Sequence, residues 1–151
     1  MARRAGGLIV AVLALAGCGE QHAPARSIQV TSAYVMQGNG TKAPDGYLVI
    51  ANSGPADQLL AVRSSAGGRV LMLGPHSAVV PAAAGLRQLT IPGHRLTRFN
   101  PTGMHLEILH SGPLHQGTYV ALTLVFAHAG TLHILAQVNN PQTASSGYFG
   151  L

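Results

Sequence analysis

Tryptophan is absent from these 151 residues, cysteine occurs once, and charged side chains make up only 9 % of the chain, against about a quarter in an ordinary globular domain. One cysteine excludes an internal disulfide, so stability has to come from apolar burial and backbone pairing. Four carboxylates in the whole chain leave no paired acids for general acid–base work. No Gly-x-Ser-x-Gly elbow or phosphate-binding loop is present either, and the chain reads as a non-enzyme. The nine Lys and Arg residues are scattered, with little aromatic surface between them. Nucleic acid is therefore not an expected partner, and the basic balance reflects scarce acids more than a basic patch. Long hydrophobic runs are missing as well. The uncharged stretch Leu8 to Ala16 is too short to span a bilayer.

That stretch follows Arg3 and Arg4 and ends in Leu15-Ala16-Gly17-Cys18. A basic start and a short apolar core form an export signal. Leu-Ala-Gly-Cys resembles the lipobox of bacterial lipoproteins, in which the chain is cut before the cysteine and lipid is attached to its sulfur. The resemblance implies a signal peptide over 1–17, lipidation of Cys18 and a protein tethered outside the cytoplasmic membrane, in the periplasm or at the cell surface. A plain signal peptide with a chance cysteine, and a buried core segment, are the competing readings. Loss of Arg3 and Arg4 lowers the formal charge of +5 by two. Residues 18–27 carry no periodicity and read as a lipid-anchored tether.

From Ile28 onward, short β-rich runs alternate with turn residues. Strands are expected over 28–36, 46–53, 58–65, 69–73, 86–91, 104–110, 118–127 and 131–138, with breakers such as Gly67-Gly68, Pro92-Gly93 and Ala129-Gly130 between them. Tyr119 to Phe126 alternates well enough to bury one face, and Ala129-Gly130 turns it into a hairpin partner. No sustained helical stripe appears, and Ala82 to Ala84 form one turn at most. The expectation is an all-β fold, an antiparallel β-sandwich of seven or eight strands over 28–138, followed by a loose tail over 139–151. Histidine is over-represented, with eight in the chain. Imidazole is a common metal ligand and titrates near neutral pH.

Ile28-Gln29-Val30-Thr31-Ser32-Ala33-Tyr34, Ala43-Pro44-Asp45-Gly46-Tyr47 through Asn52, Ile91-Pro92-Gly93, the run Pro101-Thr102-Gly103-Met104-His105-Leu106-Glu107 and the hairpin from Gly117 to Phe126 together resemble the PCu(A)C family of bacterial copper chaperones. The resemblance rests on order and spacing from Ile28 to Val138. It implies a cupredoxin-like sandwich that carries copper without doing chemistry on it. The family binds Cu(I) through a histidine, a methionine eleven residues on, a histidine twenty-two further and a methionine two after that. Soft thioethers suit Cu(I), and imidazole tolerates either oxidation state. Anchored on His105, that spacing falls on Met72, Ala83, His105 and Glu107, with Leu73 replacing Met72 if the strand is shifted by one.

Only His105 keeps a family ligand in place. A rebuilt cluster of Met72, His76, His105 and Glu107 is one reading, because His105 and Glu107 share a strand face and His76 follows the Met72 strand. Its carboxylate favours Cu(II) or Zn(II) over Cu(I). The other reading makes His105 a leftover strand-end residue and His76 a solvated loop residue. Met104 faces away from His105 and belongs to the core, Met36 packs near its strand end, and His94, His115 and His128 are exposed turn residues. His110 lies at a strand end, and His133 is a sheet histidine. Two functions follow. One is an extracytoplasmic copper-handling lipoprotein, a chaperone or store with a copper-receiving envelope protein as partner. The other is a metal-free β-sandwich binding module of the cell envelope.

Overall fold

The computed structural model describes residues 27–75 and 85–141. Its elements are nine strands: β1 (Ile28–Met36), β2 (Asp45–Asn52), β3 (Asp57–Ser64), β4 (Arg69–Leu73), β5 (Leu89–Ile91), β6 (Arg95–Arg98), β7 (His105–Leu109), β8 (Tyr119–Phe126) and β9 (Thr131–Asn139). Their hydrogen-bonded order is β4-β7-β2-β1-β9-β8-β3-β5, and β6 pairs with β2 alongside β7. β3 and β4, joined by a tight turn, also touch, so the sheet curls into a nearly closed sandwich.

The alternation seen in the sequence becomes the core. Val120, Leu122, Leu124 and Phe126 of β8 are buried, as are Leu132, Ala136 and Val138 of β9, while the residues between them are half-buried or exposed. They meet Ile28, Val35, Leu48, Ile50, Leu59, Leu106 and Ile108 in one cluster. Each of the Val, Leu, Ile and Phe side chains among them stabilises the fold by about 1.5–3 kcal/mol relative to exposure.

The all-β sandwich stands, with two corrections. The described residues form nine strands, not seven or eight. The extra one, β6, follows Pro92-Gly93 so closely that it read as turn, and three of its four residues are exposed. The sheet is also not wholly antiparallel, because β1 and β9 run parallel with Tyr34, Val35 and Met36 opposite Gln137, Val138 and Asn139. β9 ends at Asn139, whose carbonyl accepts from Gln37 N at 2.9 Å, so the strand runs one residue beyond the expected boundary. The expected turn at Ala82 to Ala84 and the tail over 142–151 lie outside the described residues.

Two local features fix which side chains face outward. In β1, Ser32 takes φ 53° and the register shifts between Thr31 and Tyr34. This bulge lets Ile28, Val30, Ala33 and Val35 all reach the core and turns Tyr34 and Met36 outward. Between β3 and β4, Gly68 has φ 75°, and a Cβ there would lie 2.0 Å from the Leu109 carbonyl oxygen. Only glycine allows that approach.

Candidate metal-binding face

Directly opposed residues of an antiparallel pair share a face, and alternate residues switch faces. In the β4–β7 ladder Leu73 lies opposite His105, Met72 opposite Leu106 and Leu71 opposite Glu107. In the β2–β7 ladder Asp45 lies opposite Glu107 and Gly46 opposite Leu106. His105, Glu107, Leu71, Leu73, Asp45 and Tyr47 therefore form the outer face, while Met72 points inward. Met72 is buried in the hydrophobic cluster with Leu106 and Ile108.

The register puts His105 and Glu107 on one face of β7 and Met72 on the other, in the core. The residue that faces His105 across the ladder is Leu73, which offers no lone pair. His76 and Cys18 lie outside the described residues. Among the described residues, no three His, Cys, Asp or Glu side chains converge as a metal site.

His105 is 7 % exposed, and its Nδ1 lies 3.0 Å from the Gly103 carbonyl oxygen. A carbonyl only accepts, so Nδ1 carries the proton in the neutral ring and Nε2 carries the lone pair. That tautomer is the one a histidine needs to ligate through Nε2, with its other nitrogen held by the backbone. Nothing in the sequence fixes this orientation.

Beside it sits a polar group the sequence did not single out. Asp45 is buried, accepts from Tyr47 Oη at 3.1 Å, and pairs with Lys42 Nζ at 2.6 Å. Tyr47 in turn lies 5.2 Å from Tyr34, ring centre to ring centre. Burial, then the Asp45 charge and its hydrogen bond, push the Tyr47 hydroxyl well above the ordinary phenol range. These contacts hold the β2 side of the face in one arrangement. With Asp45 already paired with Lys42, His105 and Glu107 leave one imidazole and one carboxylate on this face and no thioether, donor types that suit Cu(II) or Zn(II) better than Cu(I).

The remaining histidines divide by contact. His94 and His110 take positive φ at exposed positions, His115 is exposed, and His133 Nδ1 lies 3.0 Å from Thr123 Oγ1 across β8–β9. Met104 is half-buried against the core, and Met36 is half-buried at the end of β1. His128 is exposed in its turn, yet its Nδ1 reaches Asp57 Oδ1 at 3.1 Å. That pair spans 71 residues of sequence, and no local signal announces it.

The sequence profile described as "Putative lipoprotein LpqE-like" matches residues 28–138. The chain belongs to the LpqE-like family. Among solved structures, the "Apo PCuAC domain from PmoF1" superposes with a TM-score of 0.67 at 24 % identity, covering 76 % of this chain and 95 % of that one. The "Copper-bound PCuAC domain from PmoF2" gives 0.64 at 24 %, with 76 % and 94 % covered. DR1885 of Deinococcus radiodurans, solved in solution in its CuI form, gives 0.57 at 21 %, with 81 % and 83 % covered. No curated protein matches significantly. The LpqE-like chain therefore has the PCuAC fold, the cupredoxin-like sandwich that its segment order and spacing implied.

Proposed function

We propose that this LpqE-like protein is an extracytoplasmic, lipid-anchored copper-handling module that holds the ion as cargo, hands it to an envelope partner, and does no chemistry on it. The observation that carries the reading is His105, presented with Nδ1 tied to the Gly103 carbonyl on a fold shared with a copper-bound PCuAC domain. His105 is the anchoring ligand, Glu107 flanks it two residues on along β7, and His76, three residues past the end of β4, supplies the second imidazole. Met72 is left out because its side chain belongs to the core. With carboxylate and imidazole donors the preferred state is Cu(II).

A specific observation favours a second reading, a binding module that has lost its metal: Leu73 occupies the place facing His105. Titration of the mature protein with Cu(I) and Cu(II) under a competing chelator separates the two. The copper reading expects His105→Ala to weaken Cu(II) binding at least roughly tenfold, or about 1.4 kcal/mol. Equal affinity in wild type and variant refutes it and leaves the metal-free module.

A further inference from the structure

We propose that the flank of the sandwich beside Ser27 docks on an anionic lipid bilayer through β6, with Leu96 and Arg98 on one face of the strand and Arg95 exposed at its start beside the groove that Leu96 lines. The inference rests on the reading of Cys18 as a lipid anchor.

The path of the chain places this flank. Ile28 lies opposite Asn52, and Asn52 lies opposite Arg95; one step along, Gln29, Ala51 and Leu96 form the next row. Adjacent strands are about 4.8 Å apart, so Arg95 is roughly 10 Å from the point where the chain enters the fold. Two turns tie these places together. The Ser27 carbonyl accepts from Ser53 N at 2.8 Å, and the Gly54 carbonyl accepts from His94 N at 3.2 Å. The stretch 19–27 spans at most roughly 30 Å when extended. A bilayer holding Cys18 is thus within reach of β6.

Charge and polarity make the same choice. Arg63, Arg69, Arg87, Arg95 and Arg98 are exposed, whereas none of the described carboxylates is: Asp45 and Asp57 are buried, and Glu107 is half-buried opposite Asp45. Asp45 and Glu107 lie at the other end of β2 from the residues that pair with β6, and each basic side chain at an anionic surface strengthens attachment roughly fivefold. Leu96 is 54 % exposed. It projects from the outer face beside half-buried Ala51, with a shallow groove running to His94. The other exposed large hydrophobics, Leu60, Tyr119 and Leu135, belong to β3, β8 and β9 and have no arginine next to them in sequence. One leucine and two arginines bind a membrane weakly in free solution. A tether raises the local concentration enough for such a contact to be populated.

The chain contains no tryptophan, so Leu96→Trp supplies a sole indole at the centre of the patch. The mature protein carrying it is reconstituted into vesicles of brominated phosphatidylglycerol, or of brominated phosphatidylcholine alone. In the anionic vesicles its fluorescence is expected to shift blue and be quenched. High salt reverses the quenching, and adding Arg95→Gln and Arg98→Gln abolishes it. Tyr119→Trp, 62 % exposed at the far end of the sandwich, stays unquenched. Absence of quenching at Leu96→Trp in anionic vesicles, or equal quenching at both positions, overturns the docking face. The mass of Cys18 reports the anchor separately. If it is unmodified, the anchor reading falls, and the same protein added to preformed vesicles still decides whether the face docks.

Discussion

Asp57 is the residue whose loss tests the account of this fold most sharply. It is 5 % exposed at the start of β3, and its oxygens accept from Gln58 N at 2.7 Å, His128 N at 3.0 Å, Ala129 N at 2.8 Å and His128 Nδ1 at 3.1 Å. One carboxylate thus fastens the β8–β9 turn to the β2–β3 turn. Asp57→Ala leaves three backbone donors without this acceptor. Each charge-assisted bond contributes about 1.5–3 kcal/mol, but the turn is open enough for water to replace part of it, so the expected loss is about 3 kcal/mol. In a domain of this size that lowers Tm by roughly 10 °C. His128→Ala removes only a side chain that is 80 % exposed and keeps its backbone donor, so it costs under about 0.5 kcal/mol. Burial alone would raise the Asp57 pKa, but the backbone hydrogen bonds from Ala129, Gln58 and His128 outweigh it and hold the carboxyl below its ordinary value. With the folded-state value depressed, the stabilisation is complete above the unfolded-state value and disappears as pH falls through the folded one. Urea unfolding of the three proteins at neutral pH and at decreasing pH reads all of this, provided the slope m is unchanged. A loss under 1 kcal/mol for Asp57→Ala, or an equal loss for His128→Ala, refutes the latch.

Leu73→His is expected to strengthen Cu(II) binding, because position 73 faces His105. Met72→His is expected to add no affinity and to destabilise the fold by about 2 kcal/mol or more, since it buries an imidazole among Leu106 and Ile108; chelator competition and thermal melts check both. Tyr47→Phe should cost about 1 kcal/mol, the Asp45 charge being still paired with Lys42. Because the folded Tyr47 hydroxyl is held above its unfolded value, its contribution is complete below about pH 10 and is lost as pH rises beyond it. The alkaline limb of wild-type stability should therefore be steeper than that of Tyr47→Phe. Cys18→Ser should release the protein from membranes or block its processing, and a variant that stays membrane-bound at the mature mass rules out the anchor.

Much of the fold was legible because alternation and turns carry it. β1 and β4 occupy their expected spans, and β8 and β9 differ from theirs by a residue or so at the ends, since period-two burial against glycine and proline breaks is a local signal. β6 was not legible, because four residues with two arginines look like turn until β2 is seen to pair with them. The parallel closure of β1 on β9 is equally invisible, since it depends on which strands meet when the sheet curls.

The candidate site shows where counting along a chain stops working. The ligand spacing of the PCu(A)C family, carried over by resemblance, puts Met72 with His105, with Leu73 as the alternative one residue on, and nothing in the sequence chooses between them. The ladder chooses, because side chains alternate at each residue and a single step exchanges the core face for the outer one. In the β4–β7 register, Met72 fills the core and Leu73 faces the imidazole. His105 and Glu107 escaped this ambiguity because they lie two apart on one strand, a relation that holds in any register. Asp57 and His128 lie 71 residues apart, and no rule of period or spacing joins them. What the sequence conveys about a β site is the relation within one strand; relations across strands follow from register, here that of β4 and β2 against β7.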